Sequence, residues 1–356
     1  MIKVGFVSPD FKRHSIFFFI YPVLKYLNAE VYCYFTGERA DDYTKRCENI
    51  VDHWRFVHKD AVEIERMIRA DKVDILFDLA GWTPNNSLFI FNTRLAPVQV
   101  TWLNHVTSGM PEMDYKIVDF YTDPPGMTEK HYSEKLIRMP FLGYCFTPNE
   151  GSPDIKKNES SWVRYGAWNN PAKFNILTYD MWGEILRKVP YSNITLKYNN
   201  KVHHKQISRE LRSRGVDKDR IILKPFISSY GGHLSGYNDI DIFLDTYPYN
   251  GVTTTLDCLW MGVPVITLVG TQHMARQGYA IYKNLGDGNW DGIAETSSEY
   301  INKAIELAFM AGSRYEFGSN IRRRITASPI MNCGGFCRLL EERLLMIYRG
   351  AGNSPA

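Results

Sequence analysis

Residues 243–264, FLDTYPYNGVTTTLDCLWMGVP, combine an acid at the end of an apolar run, a turn and a cluster of hydroxyls. The spacing predicts a buried strand ending at Asp245, a loop turned by Pro248 and Gly251, and a helix that opens at Thr253 and stops at Gly262. The start of such a helix offers unpaired backbone N–H groups, the positive end of its dipole and two or three hydroxyls, which together form a receptor for a diphosphate. Asp257 lies one turn further in, where a carboxylate can accept both hydroxyls of a ribose. A strand, a loop and a threonine-capped helix that bind nothing would follow the same pattern.

A second strand end followed by a loop occurs at residues 166–173, GAWNNPAK. Asn170 can donate and accept hydrogen bonds, and Lys173 is a compact cation suited to a departing phosphate that no metal ion would otherwise neutralise. Alone, Lys173 would read as a surface lysine; beside the threonine-rich helix it becomes a leaving-group clamp. His14 follows the first strand and can orient an acceptor or take its proton, though loop packing would use the same residue. His233 sits on a short helix where its ring can face a base or ribose. His273 and Arg276, after a later strand, can complete a phosphate pocket.

Other chemistries are not written here. The sequence has no GxxxxGK[ST] loop, no strand-linked GxGxxG, no GxSxG and no HExxH. Asp239 and Asp241 form a DxD pair, but at the entry to a strand, the wrong end for a metal-held diphosphate. The six cysteines include no CxxC pair and fit a reducing compartment; Cys333 and Cys337 alone do not make a zinc site, so no metal and no cofactor are expected. A formal charge of only +3 with scattered basic residues argues against a nucleic-acid surface. No signal peptide and no apolar run long enough to span a membrane are seen, and a cytoplasmic location is expected.

The elements that must position these residues alternate. Lys3–Ser8, Glu30–Phe35, Val73–Leu79, Val98–Leu103 and Tyr115–Asp119 read as buried strands, with helices over Phe18–Leu27 and Ala61–Ala70. After a polar stretch from Thr147 to Ser161 the pattern restarts with strands at Val163–Trp168, Ile194–Tyr198, Arg220–Phe226, Asp241–Asp245 and Pro264–Val269. At 356 residues the chain suits two domains of roughly 100 to 200 residues each. The expectation is an α/β chain of two Rossmann-like, doubly wound domains, residues 1–150 and 151–334, facing a central cleft. A final helix within 335–356, apolar at Leu339, Leu340, Leu344 and Ile347, is expected to cross back to the first domain. Ligands of such sheets bind beyond the carboxyl ends of the strands.

The same segments resemble the catalytic region of the O-linked N-acetylglucosaminyltransferase family, with its bacterial and plant SPINDLY-like members. The likeness rests on motifs in the family's order from about Ile2 to Arg349: VSPDFKRH (7–14), APVQVTWL (96–103), MDY (113–115), YSEKL (132–136), WNNPAK (168–173), DTYPYNGVTT (245–254) and LWMGVP (259–264). It implies a GT-B fold and inverting, metal-independent transfer from a UDP-sugar, the sugar being GlcNAc, glucose or a related hexose. By position it implies Asn170 and Lys173 at the pyrophosphate, Thr253 and Thr254 on the phosphates, Asp257 on the ribose, His233 beside the uridine and His14 near the sugar. Asn250, Gly251, His273 and Arg276 complete the donor side. Asp78, Leu103, Asn104, Gly109 and Tyr249 fall on the sugar and acceptor side, with Asp78 second to His14 as the base.

Departures from the family pattern cluster on that acceptor side. The family's LGYPGTSG loop is here LNHVTSG (103–109), Val252 replaces a histidine found in some members, and Trp82 stands within a bacterial Gly-His-Thr. The tetratricopeptide array that many members carry is not in this sequence. The implied acceptor is thus a peptide, a protein or a small molecule, held by the cleft or by a separate recruiting protein. A UDP-sugar 2-epimerase and a non-catalytic nucleotide-sugar binder are the alternatives on the same architecture.

Overall fold

The computed structural model describes residues 1–57, 60–148, 150–156, 160–198, 201–225, 227, 229–286, 291–310 and 314–352. It divides into two compact units, residues 1–147 with 329–356, and residues 148–328. Each is built on a parallel sheet, the α/β Rossmann-like class expected from the alternation.

In the first unit, strands β1 (Lys3–Ser8), β2 (Glu30–Phe35), β3 (His53–Phe56), β4 (Ile75–Asp78), β5 (Val98–Thr101), β6 (Tyr115–Asp119) and β7 (Lys135–Met139) run in the order β3-β2-β1-β4-β5-β6-β7. Helices α1 (Phe17–Tyr26), α2 (Asp42–Glu48) and α3 (Ala61–Asp71) supply crossovers. The side chain of Asp60 caps α3 by accepting from Val62 N, and Ile64 and Ile68, one turn apart, bury its apolar face. Val7, Tyr34, Leu76 and Phe91 pack in the same core.

In the second unit, β8 (Val163–Ala167), β9 (Ser192–Lys197), β10 (Ile221–Lys224), β11 (Ile242–Leu244), β12 (Val265–Leu268) and β13 (Ile293–Ala294) follow the order β10-β9-β8-β11-β12-β13. Between and after them come α4 (Ile176–Lys188), α5 (Lys201–Arg212), α6 (Tyr230–Ser235), α7 (Thr253–Trp260), α8 (Gln277–Asn284), α9 (Ser297–Phe309) and α10 (Arg314–Ala327). Trp182, Ile194, Leu244, Ile266 and Tyr300 are fully buried in its core.

The final helix, α11 (Cys333–Gly352), belongs to the first unit. It is longer at both ends than its apolar stripe predicts. Leu340 and Leu344 are buried, Phe336 stacks on Trp102 with ring centroids 6.0 Å apart, and Tyr348 donates to Asp74 at 2.6 Å.

Sequence reading passes over β3, β7 and β13. The first two lie at sheet edges, where half-exposed strands such as HWRF and KLIRM have no continuous apolar run, and β13 is two residues long. The strand expected over Arg220–Phe226 is ordered as Ile221–Lys224; Phe226, like residues 149 and 157–159 of the polar stretch, lies outside the described residues. No helix among the described residues is long and apolar enough to cross a membrane.

Candidate functional site

The strand order of the second unit reverses between β8 and β11, which are direct neighbours with Tyr165 opposite Ile242 and Gly166 opposite Phe243. Connections from two such strands leave in opposite directions and open a crevice at their carboxyl ends. The two segments singled out in the sequence are the loops that leave these strands there.

Lys173 ends a 3-10 helix, Pro171–Lys173, that Asn170 caps by accepting from Ala172 N. The lysine side chain reaches the loop before α7: its ammonium donates to Asn250 O at 2.9 Å and lies 4.0 Å from the centroid of the Tyr249 ring. Burial lowers its pKa to about 8, an effect opposed by the negative charge of Asp245. Asn170 itself is exposed, with its side-chain oxygen occupied by the cap.

Helix α7 begins without a side-chain cap, because Val252 occupies the position where Ser, Thr or Asp would supply one. Its first-turn N–H groups thus have no capping acceptor from that residue. Thr253 and Thr254 are partly exposed, and the Thr254 hydroxyl donates inward to Asn169 Oδ1 at 2.9 Å. Asn169 in turn donates to Asp245 Oδ1 at 3.0 Å. Asp245 also accepts from Gly251 N at 2.8 Å, Thr246 N at 2.9 Å and Thr267 Oγ1 at 3.0 Å. Gly251 is required at that point, since a Cβ would come 2.7 Å from Thr254 Oγ1 and 2.8 Å from Asn169 Oδ1. Asn250 is fully buried, and its Oδ1 is without a hydrogen-bond partner.

Asp257 is 2% exposed rather than open to solvent. Oδ1 accepts from Tyr230 OH at 2.6 Å and Oδ2 lies 3.6 Å from His233 Nε2. A ribose placed there would share this carboxylate with Tyr230. His233 lies on α6 among Trp168, Tyr230 and Tyr237, with ring centroids 6.0, 6.3 and 5.4 Å away.

The loop after β12 meets the same region, where Asn250 N donates to Met274 O at 3.0 Å. His273 Nε2 is 2.8 Å from Gln277 Nε2, and Arg276 donates to Gly270 O at 2.9 Å while lying over the Tyr279 ring. The structure thus gathers Lys173, Tyr249, Asn250, Gly251 and Thr254 around one loop. Arg276 is turned toward its own.

The first unit has its own reversal, between β1 and β4. His14 follows β1, half-exposed, with Nδ1 3.7 Å from Asp10 and accepting from Ile16 N at 3.4 Å. Burial lowers its pKa, against the pull of Asp10 in the other direction. Asp78, after β4, is 1% exposed and accepts from Ala80 N, Gly81 N and Thr101 Oγ1. Those bonds tie it to the loop that follows β4. Burial raises its pKa. The 103–109 loop carries Leu103 and Gly109 at φ 62° and 66°, an uncommon conformation for a leucine. The fully buried Lys116 pins it, donating to Asn104 O at 3.0 Å, to Val106 O at 3.1 Å and to the Asn104 side chain.

The chain matches glycosyl transferase family 41 over residues 1–146 and 158–340. It belongs to that family. The tomato (Solanum lycopersicum) protein named "Probable UDP-N-acetylglucosamine--peptide N-acetylglucosaminyltransferase SPINDLY" is 35% identical over 98% of this chain and 38% of its own length. The rice (Oryza sativa subsp. japonica) protein of the same name is 33% identical over 100% of this chain and 40% of its own. The chain therefore spans about two fifths of the length of these curated relatives. A mutant of the Thermobaculum terrenum O-GlcNAc transferase superposes with a TM-score of 0.92 at 32% identity, covering 98% of this chain and 68% of that one. Anabaena HepE, solved with UDP and glucose, shares the fold alone, at a TM-score of 0.61 and 11% identity, covering 97% of this chain and 100% of that one.

In this family 41 chain, sequence reading passes over Asn169, Lys197, Asp245 as a site residue, and Lys116. Asn169 and Asp245 stand at strand ends, a position that could have marked them. Lys116 and Lys197 lie within or at the end of strands, where a lysine reads as an edge or surface residue. Nothing local tells that their ammonium groups are buried.

Proposed function

We propose that this chain is a glycosyltransferase that moves a sugar, GlcNAc, glucose or a related hexose, from a UDP-sugar to a peptide, protein or small-molecule acceptor, with inversion and without a metal ion. The observation that carries this is the meeting of the Lys173 ammonium with the loop that opens the uncapped helix α7. A cation and a row of backbone N–H groups at one spot form a receptor for a pyrophosphate. The family, and the names of the tomato and Thermobaculum proteins, support the reaction class; peptide transfer of N-acetylglucosamine is the first choice.

The acceptor oxygen attacks the anomeric carbon from the face opposite the diphosphate. As that bond forms, the bond to the diphosphate oxygen breaks, the configuration inverts and UDP leaves with its negative charge. An ammonium has three donors, so Lys173 can hold Asn250 O and still donate to a phosphate oxygen. This positive charge, with the helix dipole, does for the leaving group what a metal ion would otherwise do. His14, whose pKa burial lowers toward the neutral ring, is our candidate for the acceptor's proton. A separate protein can bring the acceptor.

The test is incubation with UDP-GlcNAc, UDP-glucose and GDP-sugars, with and without a peptide library and EDTA. Mass gain on a peptide, an inverted anomer and unchanged rate in EDTA are expected. A new sugar nucleotide without release of UDP would identify an epimerase. Tight UDP binding with no turnover would identify a binder, and loss of turnover in EDTA would overturn metal independence.

A further inference from the structure

The end of β9 places a lysine against the histidine of the nucleotide pocket. Lys197 is 5% exposed, its ammonium lies 3.0 Å from His233 Nδ1, and it sits 4.6 Å from the centroid of the Trp168 ring. On the other side of the imidazole, Nε2 is 3.6 Å from Asp257 Oδ2 and 3.5 Å from Tyr237 OH. Tyr230 closes the group by donating to Asp257 Oδ1.

An ammonium carries donors only, so the ring nitrogen facing it must accept. The proton of a neutral His233 is then on Nε2, on the side of Asp257. A second proton on Nδ1 would set N–H against N–H at 3.0 Å, with two positive charges in contact. Asp257 favours the imidazolium from 3.6 Å; the nearer, donor-only cation decides against it. Other charges in reach are Lys224 on β10, ion-paired with Asp239 at 2.7 Å, whose cation opposes further positive charge. Keeping a lysine buried over Trp168 costs desolvation that an apolar side chain would avoid, which favours a role for its charge.

We propose that Lys197 is a positioning residue of the nucleotide site: its ammonium holds His233 as the neutral tautomer protonated on Nε2, which keeps the ring face uncharged beside the base and leaves Asp257 anionic for the ribose. This rests on the assignment of the pocket to a nucleotide, and it gives Lys197 a role exerted through His233.

Histidine-selective ¹⁵N labelling of the full chain tests it, with the His233 signals assigned from their loss in His233→Gln. Long-range ¹H–¹⁵N spectra near pH 7 should show an acceptor-type Nδ1 and a protonated Nε2. In Lys197→Met the acceptor-type Nδ1 signal should give way to a mixture of tautomers, and UDP affinity should fall about tenfold; Lys197→Arg should keep the wild-type pattern. A wild-type ring protonated on Nδ1, or Lys197→Met spectra that match wild type, would overturn the role of Lys197 whether or not nucleotide binds. Wild-type protein that binds neither UDP nor GDP would instead overturn the nucleotide assignment, even with the tautomer as described.

Discussion

The Lys173 ammonium and the Asn250 carbonyl are joined by a hydrogen bond of 2.9 Å across 77 positions of sequence. Through it a side chain from the loop after β8 is bound to the loop that starts α7, at the point where the two central strands of the second unit diverge. A cation so placed is partly buried, with no carboxylate within ion-pair distance among the described residues, and an incoming phosphate would meet it already oriented.

Lys173→Met should keep the fold and lose the chemistry. Turnover of a nucleotide-sugar should drop roughly 100- to 1000-fold, the usual cost of losing one preorganised donor to a developing charge. Circular dichroism and the denaturation midpoint should stay at or above wild type. Turnover within a few-fold of wild type would remove Lys173 from the mechanism.

Nucleotide affinity should weaken as pH rises through about 8, where Lys173 loses its proton. An anion favours the charged amine, so above that pH binding of UDP must take up a proton. Calorimetry in buffers of different ionisation enthalpy measures this uptake directly. Affinity that stays level from pH 7 to pH 9.5, with no proton uptake, would contradict it.

Stability should respond in the opposite sense. Burial holds Lys116, Lys173 and Lys197 each at about 8, against 10.5 for an unperturbed lysine. Between those values the unfolded chain binds more protons than the folded one, so the contribution of these lysines to stability rises with pH across that window. Below pH 8 they are charged in both states and their burial penalty is complete. Urea midpoints for Lys173→Met and wild type should therefore converge as pH is raised from 8 to 10; a constant gap would sink the assignment.

Gly251→Ala should disturb the donor loop more than its size suggests. The added methyl must displace Thr254 Oγ1 or Asn169 Oδ1, both under 3 Å from it, and with them the bond between these two or that from Asn169 to Asp245. A loss of about 1–3 kcal/mol in stability is expected for such crowding, with weaker UDP binding. A variant equal to wild type in both chemical denaturation and UDP titration would show that the loop tolerates the shift.

The sequence by itself determined the alternation of strands and helices, the start of α7 at Thr253, and the placing of Asp245 and Lys173 just after strands, because periodicity, threonines and loop residues act over a few neighbouring positions. Edge strands β3 and β7 escaped it, since a half-exposed strand needs no apolar run. Only the tertiary structure decided which polar groups spend themselves on one another. Pairing of β8 with β11 brings Asn169 to Asp245 across 76 positions, and the Thr254 hydroxyl turns inward to join them; in the first unit, pairing of β4 with β1 and β5 encloses the Asp78 carboxylate. Whether an amine or a carboxylate is a reagent or a structural tie depends on its burial and its partners, and those are properties of packing between segments distant in the chain.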